Sequence, residues 1–478
     1  MTTDEQGLHE LAAAAGVAID WIDAWGEPQR VDGDDLRAVL EALLATPLTS
    51  AQAVAAATAS VESDVPFVEP VVVAWDGELP EVVAAGSVTS ASIVLEDGVE
   101  VPCSVDGSRI VCDRALPIGY HQLVVDEGRH RSHVFSAPMR ATHGPEGASG
   151  LIAPMYSLRG EPDTGIGTLR ELGELADVCL ASGIEVVGTL PLLAAFDDEP
   201  SPYAPASRRA WNEVFADLTA LPEWDARLPA PTGDPAWVDH EAAGSAIRDE
   251  MARYAAHVAR RPRLREGVEA FGDANPEIVR YAGFRAIADH EGRNWRAWPQ
   301  GAAGDMGREF YHLTAQWVMH EQLRSLSTTL RNRGQYLYLD LPIGCHPDGY
   351  DIWDAPELFA PASLGAPPDT LFVGGQDWGL PATIPALSRL DGHQVFRKAI
   401  RHQLSVAGLL RIDHVMGIHR TWWVPHGRGA TQGAFVAQPT EEMFAIICIE
   451  SVRADAAVVG ENLGTVPPEI RTGLRDHD

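Results

Sequence analysis

Hydrophobic residues at helical spacing characterise the first part of the chain. Leu36, Val39, Leu40 and Leu43 recur every three to four positions, directly behind the acidic segment 32–35. This spacing places the apolar side chains on one helix face, and acidic residues are common at helix starts. The pattern predicts a small helical module over residues 1–60.

Short β-rich runs replace the helical period over residues 61–140. The runs at 71–73 and 123–125 are rich in Val and Leu, and Asp97-Gly98 is a turn dipeptide that follows another such run. Asp-Gly supplies the positive φ angles that tight hairpins need. These features predict a β-sandwich domain.

Apolar runs alternate with helical patterns over residues 151–478, after a Gly- and Pro-rich linker at 138–150. Runs that are apolar on both faces and separated by helices favour parallel βα units. The predicted strands are 151–156, 184–190, 336–341, 409–412 and 456–459, and the predicted helices are 169–180, 308–330, 394–406 and 441–452. We therefore expect an α/β fold, a (β/α)8 TIM-barrel catalytic domain, with a helical insertion at about 195–305 that is too long for one crossover.

The charge of the chain excludes some classes of partner. Lys and Arg total 36 against 68 Asp and Glu, which gives a formal net charge of −32. A chain this acidic repels nucleic-acid phosphates and anionic lipid headgroups, so we expect neither nucleic acid nor membrane as a partner. An acidic surface also serves solubility alone, and a neutral sugar polymer is not repelled by it.

The cysteines and the start of the chain favour a cytoplasmic protein. The five cysteines are an odd number without a CxxC pair, which fits a reducing compartment. Residues 1–16 open acidic and lack the basic and apolar regions of a secretory signal. No stretch approaches the roughly 20 apolar residues of a membrane span.

Three of the predicted strands have an acidic residue at or just after their carboxyl ends: Asp340, Asp413 and Glu461. Side chains at the carboxyl ends of barrel strands converge on one active site, although a single strand-ending Asp often only forms a turn or caps a helix. Retaining glycosidic chemistry requires one ionised carboxylate as nucleophile and one carboxyl group as acid. Arg411, two positions before Asp413, would point to the same strand face and keep Asp413 ionised.

Aromatic residues give a second indication of a sugar ligand, because sugar rings stack their C–H faces on flat side chains. Tyr203, Trp353, Trp378, Trp422 and Trp423 all fall in or beside predicted loops. For Trp422 and Trp423 we favour core packing. For Trp353 and Trp378, core packing and a ligand-facing role both remain open.

Several segments carry recognisable motifs, namely LRIDHVMG (410–417), VVGENLGTVPPE (458–469), YLDLPIGCHPDGYDIW (338–353), GQDWGLP (375–381) and SPYAPASRRAWNEVF (201–215). These segments resemble the 4-α-glucanotransferases, or amylomaltases, of glycoside hydrolase family 77, in its long bacterial form. The resemblance implies that Asp413 is the nucleophile and Glu461 the acid/base. It also implies a set of residues that line the sugar subsites, namely Tyr203, Asn212, Asp340, His346, Asp351, Trp353, Gln376, Trp378, Arg411 and His414.

The resemblance implies a reaction and its partners. The expected activity is transfer of α-1,4-glucan segments between maltooligosaccharide donors and acceptors through a covalent glucosyl-enzyme, without metal or organic cofactor.

Two alternatives stay open: an α-glucan hydrolase and a non-catalytic glucan-binding fragment. The second arises because the family's third catalytic carboxylate and last barrel strands have no counterpart before Asp478, so we expect a C-terminally truncated chain with an incomplete barrel. The sequence leaves the oligomeric state open.

Overall fold

The computed structural model describes residues 3–199, 201–231, 237–463 and 466–477. The chain divides into two compact units, each of which is described by itself. Unit 1 comprises residues 1–143, 355–397 and 414–478, and unit 2 comprises residues 144–354 and 398–413. Unit 1 thus combines both predicted N-terminal parts with two segments of the predicted catalytic domain.

The α-helices of the described residues are, in chain order, α1 (Thr3–Ala14), α2 (Gly33–Leu44), α3 (Ala51–Ser63), α4 (Leu169–Ala181), α5 (His240–Val258), α6 (Pro262–Ala274), α7 (Pro276–Glu291), α8 (Met306–Asn332), α9 (Tyr350–Asp354), α10 (Pro385–Leu390), α11 (Gln394–Leu404), α12 (Thr440–Ala454) and α13 (Pro468–Asp476). Short 3-10 helices span Met155–Ser157, Glu213–Phe215, Leu218–Ala220, Trp295–Ala297, Pro356–Leu358 and Val415–Ile418.

The strands of the described residues are β1 (Asp20–Ile22), β2 (Pro28–Arg30), β3 (Val71–Trp75), β4 (Val82–Val83), β5 (Ala91–Val94), β6 (Glu100–Pro102), β7 (Ser104–Asp106), β8 (Arg109–Val111), β9 (Gly119–Val125), β10 (His130–Ala137), β11 (Gly150–Ile152), β12 (Val186–Gly188), β13 (Tyr336–Leu341), β14 (Phe359–Ala366), β15 (Gln376–Thr383), β16 (Leu409–Ile412), β17 (Arg420–Pro425), β18 (Ala434–Ala437) and β19 (Ala457–Gly460).

The N-terminal part of unit 1 contains the predicted helices and a hairpin that the sequence pattern did not reveal. Helix α2 begins where the side chain of Asp32 accepts a hydrogen bond from the backbone of Asp34 at 2.9 Å, and it buries Leu36, Val39 and Leu40. The strands β1 and β2 pair antiparallel between α1 and α2. At three residues each, they are too short to show a β period.

The predicted β-sandwich is present in unit 1. One sheet has the strand order β3-β10-β9-β5-β6 and the other the order β4-β8-β7. The core between them contains fully buried residues of both sheets, among them Ile93, Ile110, Leu123 and Val134. The central residue of β6 and that of β8 are buried between more exposed neighbours, whereas β10 buries residues 134–137 in succession.

Unit 1 also contains a four-stranded antiparallel sheet of order β15-β14-β17-β18, which the sequence analysis did not predict. Trp378 therefore lies on β15 and not in a loop. Trp422 and Trp423 lie on β17, 2% and 0% exposed, which confirms core packing for both. Pro361 lies on β14 where the register of its pairing with β15 is irregular. Because proline is depleted in strands, the sequence of this segment is more typical of a loop.

Unit 2 is built on parallel strands in the order β11-β12-β13-β16. All five strands predicted for residues 151–478 are present, the first two shorter than expected, with β19 assigned to unit 1. Helices α5, α6 and α7 lie within the segment that was predicted as a helical insertion, at about 195–305. Because β13 and β16 are parallel neighbours, their carboxyl ends lie at the same edge of the sheet.

Candidate active site

A cluster of charged side chains lies at the carboxyl ends of β13 and β16 in unit 2. Asp340 and Arg411 are directly opposite in the register of the two strands. The Arg411 guanidinium contacts Oδ1 of Asp340 through Nη1 at 2.6 Å and Oδ1 of Asp413 through Nη2 at 2.9 Å. Tyr203 donates its hydroxyl to Oδ2 of Asp340 at 2.7 Å. The structure therefore brings four of the predicted site residues together.

The electrostatics of this cluster favour an ionised Asp413. Burial by itself would lower the pKa of Arg411, but its hydrogen bond to Asp340 and the negative charges of Asp340 and Asp413 raise it above the ordinary value. Arg411 therefore keeps its positive charge beside Asp413. Burial and the neighbouring Asp340 raise the pKa of Tyr203, so its hydroxyl remains a neutral donor.

A second group of predicted site residues lies together in unit 1 around Glu461. The backbone N–H groups of His414 and Leu463 donate to the two oxygens of the Glu461 carboxyl group at 3.1 and 2.8 Å. His414 can direct its N–H this way because it adopts a left-handed conformation, with φ of 49°. These two bonds fix the orientation of the Glu461 carboxyl group.

Aromatic and amide side chains complete this second group. The Trp378 ring meets the His414 ring edge to face, with centroids 5.0 Å apart, and its indole N–H donates to Oε1 of Gln376 at 3.3 Å. Burial lowers the pKa of His414 to about 4, against the opposing charge of Glu461. His414 is therefore a neutral, half-buried ring at neutral pH.

Asp413 and His414, which belong to the two groups, are consecutive residues. Asp413 continues directly from β16, and its backbone N–H donates to the carbonyl of Leu341 on β13 at 3.0 Å. The turn at His414 then begins the 3-10 helix Val415–Ile418.

Asp351 lies apart from these groups, in the interior of unit 2. It is fully buried, and its carboxylate accepts hydrogen bonds from the Ser207 hydroxyl at 2.7 Å and from Nε of Arg209 at 3.1 Å. The backbone N–H of Arg208 donates to the other oxygen at 3.2 Å. Asp351 therefore fixes the backbone of residues 207–209, which follow Tyr203. Since the side chain of Asp351 is fully buried in this structure, it is not accessible to a sugar here, and its contact with sugar stays a prediction.

Trp353 and His346 are packed against other aromatic residues of unit 2. Trp353 lies on α9, not in a loop, with its ring centroid 5.2 Å from that of Phe284 and with the Arg280 guanidinium 5.3 Å from it. The His346 ring lies edge to face on Phe196 at 5.2 Å and accepts the backbone N–H of Asp348 at 3.0 Å. The structure brings neither residue into hydrogen-bonding contact with the Asp340 cluster.

Asn212 lines a cleft in unit 2. Tyr156, Phe196 and His240 are among the other lining residues. The backbone next to Asn212 is held by a residue that the sequence analysis missed: the Gln316 side chain donates to the carbonyl of Trp211 at 2.7 Å and accepts its N–H at 2.8 Å. Gln316 lies on α8, far along the chain, so no local pattern could have revealed this contact.

Within residues 3–199, 201–231, 237–463 and 466–477, no group of three or more His, Cys, Asp or Glu side chains could hold a metal ion. In the same part of the chain, no helix is long and apolar enough to cross a membrane.

Comparison with known proteins identifies similar chains over nearly the whole sequence. Residues 153–478 match a family model described as 4-alpha-glucanotransferase, and residues 67–138 match one described as the MalQ N-terminal beta sandwich domain. A 4-alpha-glucanotransferase of Mycobacterium tuberculosis is 31% identical over an alignment that covers 99% of this chain and 74% of that protein. One of Haemophilus influenzae is 30% identical over 76% of this chain and 59% of that protein.

The fold is also found in a solved structure. The crystal structure of the amylomaltase from Corynebacterium glutamicum superposes with a TM-score of 0.85 at 23% identity and covers 99% of this chain and 74% of that one. This likeness shows that the fold is the one predicted, an α/β barrel fold with an N-terminal β-sandwich. The chain spans 59% to 74% of the lengths of these three proteins.

Proposed function

Since the chain belongs to the 4-alpha-glucanotransferase family, we propose that the protein transfers α-1,4-glucan segments from one maltooligosaccharide to another. The observation that carries this proposal is the position of Asp413 at the end of β16, with its carboxylate held by the Arg411 guanidinium at 2.9 Å. A carboxylate that is fixed and kept ionised at a strand end is suited to attack an anomeric carbon.

The first half of the reaction breaks the glycosidic bond of the donor. Asp413 attacks the anomeric carbon and forms a glucosyl ester, while Glu461 protonates the oxygen of the departing glucan. Arg411 contacts Oδ1 of Asp413 through Nη2 at 2.9 Å, which places the positive charge beside the carboxylate that attacks. Tyr203 and Asp340 hold Arg411 and its surroundings in place and offer hydrogen-bonding groups to the sugar.

The second half transfers the glucosyl group. Glu461, now ionised, removes the proton from the 4-hydroxyl of an acceptor glucan, and that oxygen displaces Asp413 with net retention of configuration. The backbone N–H groups of His414 and Leu463 hold the Glu461 carboxyl group in one orientation through both steps. Transfer exceeds hydrolysis when an acceptor sugar is held better than water, a task that suits the half-buried Trp378 ring.

The experiment that tests this proposal is product analysis with maltotriose as the only substrate. The proposal predicts glucose together with maltodextrins longer than maltotriose. Formation of glucose and maltose alone would indicate an α-glucan hydrolase, and binding of maltotriose without turnover would indicate a glucan-binding protein. The Asp413→Asn variant is the matched control, since the amide keeps the shape of the side chain but forms no glycosyl ester.

We further propose that the protein acts in the cytoplasm. All five cysteines, Cys103, Cys112, Cys179, Cys345 and Cys448, are free thiols, and the substrates proposed here are neutral and compatible with a net charge of −32. Fractionation of the source cells tests this, since recovery of the protein outside the cytoplasmic fraction would contradict it.

A further inference from the structure

One continuous extended segment passes from one sheet of the β-sandwich to the other. Its first part, β6, pairs with β5, where Pro102 lies opposite Ser92. Its second part, β7, pairs with β8 in the other sheet, where Ser104 lies opposite Val111. Cys103 is the single residue between the two parts, so it occupies the corner at which the chain changes sheets.

The register of the second sheet places Cys112 opposite Cys103. In the β7–β8 hairpin the antiparallel pairs run outward from Asp106↔Arg109 to Ser104↔Val111, and the next step along both strands joins Cys103 and Cys112. Successive pairs of an antiparallel ladder extend in this way, one residue on each strand. The two cysteines are thus cross-strand neighbours at the open end of the hairpin.

The backbone of Cys103 shows which kind of pair this is. Its N–H donates to the carbonyl of Ala91 on β5 at 3.0 Å, and so points away from β8. Cys103 and Cys112 therefore form a non-hydrogen-bonded pair, the type in which Cα atoms are about 4.5 Å apart and side chains are closest. A disulfide requires a Cα separation of about 4.4 to 6.8 Å, so this geometry accommodates one.

The side chains are also within reach of each other. The Cys112 thiol lies within hydrogen-bonding distance of the Cys103 thiol, and both are reduced in this structure. Cys112 is 8% exposed and belongs to the sandwich core, whereas Cys103 is partly exposed at its edge. A small reagent can therefore reach Cys103 first.

We propose that Cys103 and Cys112 form a disulfide when the protein meets a small-molecule disulfide such as oxidised glutathione, and that this bond fixes the corner between the two sheets. The Cys103 thiolate attacks one sulfur of glutathione disulfide, which releases one glutathione thiolate and leaves a mixed disulfide on Cys103. The Cys112 thiolate then attacks the Cys103 sulfur and releases the second glutathione. Two protein thiols are oxidised and one small disulfide is reduced to two thiols.

The site is suited to slow, conditional oxidation. Burial, together with the neighbouring Cys112 thiol, raises the pKa of the Cys103 thiol to about 12. Only the thiolate attacks a disulfide, so exchange is slow at neutral pH. We therefore expect the disulfide to form only during prolonged exposure to a disulfide oxidant.

The test is disulfide mapping of the whole protein after incubation with oxidised glutathione at pH 9. The sample is acidified, unfolded, treated with iodoacetamide, digested and examined by mass spectrometry. The expected product is a peptide pair that joins Cys103 to Cys112 and lacks two hydrogen atoms, with Cys179, Cys345 and Cys448 alkylated. Amides of residues 104–111 should then exchange with solvent about tenfold more slowly than in the reduced protein.

The Cys112→Ser variant is the matched control, because it removes the thiol that completes the exchange. We expect glutathione to remain attached to Cys103 in this variant. Alkylated Cys103 and Cys112 in the oxidised wild-type sample, or a glutathione adduct that persists on wild-type Cys103, would overturn the proposal. The readouts are covalent, so they do not depend on the proposed transferase activity.

Discussion

Replacement of Arg411 by Leu tests the charge arrangement on which the proposed site depends. The substitution leaves two carboxylates, Asp340 and Asp413, without their shared counter-charge. Leucine fills part of the volume of the arginine stem, so the main loss is electrostatic. The fold of the strand should persist, because Leu is as apolar as its neighbours on β16.

The magnitude follows from the exposure of each partner. The Asp340 side chain is 4% exposed, and removal of one partner of a buried ion pair costs about 3 kcal/mol. The Asp413 side chain is 23% exposed, so solvent screens that pair, which contributes about 1 kcal/mol. We therefore expect Arg411→Leu to lower the free energy of unfolding by about 3 to 4 kcal/mol.

Urea unfolding followed by tryptophan fluorescence measures this loss. Arg265→Leu is the control, because Arg265 and Glu269 form an ion pair whose side chains are 56% and 50% exposed, and its removal should cost about 0.5 kcal/mol or less. In an Asp340→Asn background the loss from Arg411→Leu should shrink by about 2 kcal/mol, since a neutral amide needs no counter-charge. An Arg411→Leu variant as stable as the Arg265→Leu control would refute the reasoning, as would an equal loss in both backgrounds.

Three further predictions concern individual side chains. Glu461→Gln should slow transfer from maltotriose by about 10² to 10⁴-fold but much less from α-maltosyl fluoride, whose leaving group needs no proton; equal losses in kcat with both donors would remove Glu461 from the acid role. Burial lowers the pKa of His402 to about 3, so below pH 6.5 the unfolded chain binds a proton that the folded chain does not bind, and the free energy of unfolding falls as the pH drops from 6.5 towards 3. His402→Phe should abolish about 2 kcal/mol of the loss between pH 7 and pH 4.5. Urea unfolding curves of this variant with an unchanged pH dependence would contradict the prediction. Trp378→Ala should raise the KM for maltotriose about tenfold while Trp25→Ala, at an exposed hairpin position, leaves it unchanged, and initial rates that place both variants at the wild-type KM would exclude Trp378 from the sugar site.

The sequence pattern was sufficient to predict strands β13 and β16 and the direction of the side chains at their ends. The alternation of apolar runs and helices predicts β13 and β16, and the acids at their ends predict a cluster. Arg411 on β16 and Asp413 directly after it are two positions apart, so their side chains were expected on one face, and the Arg411 guanidinium contacts both Asp340 and Asp413. These contacts could be predicted because a parallel register brings strand ends to one edge.

The remainder of the site depends on contacts between residues far apart in sequence. Nothing in the segment around Asp351 reveals that Ser207 and Arg209 enclose its carboxylate. The two hydrogen bonds between the Gln316 side chain and the backbone of Trp211 could not be predicted either, because a glutamine on a long helix is usually exposed to solvent. Burial and long-range pairing, rather than residue type, decide the roles of such side chains.

The antiparallel sheet in unit 1 was missed for a different physical reason. Strands β14 and β15 contain proline and glycine and pair with irregular register, so they lack a clear period of two. Strand β14 pairs with β17, whose Trp422 and Trp423 are buried, and β15 pairs with β14. A strand that is stabilised mainly by pairing with its neighbours in the sheet shows only a weak hydrophobic period in its own sequence.

The most direct test of the central claim is to trap the proposed glucosyl ester and locate it. The Glu461→Gln variant should react with α-maltosyl fluoride, which needs no acid, but should release the sugar slowly because no base activates the acceptor. Peptide mapping by mass spectrometry should then find a maltosyl group on Asp413, and the adduct should be absent when Asp413→Asn is added. Consumption of the fluoride with no adduct on Asp413, or with the sugar attached to another residue, would contradict the account.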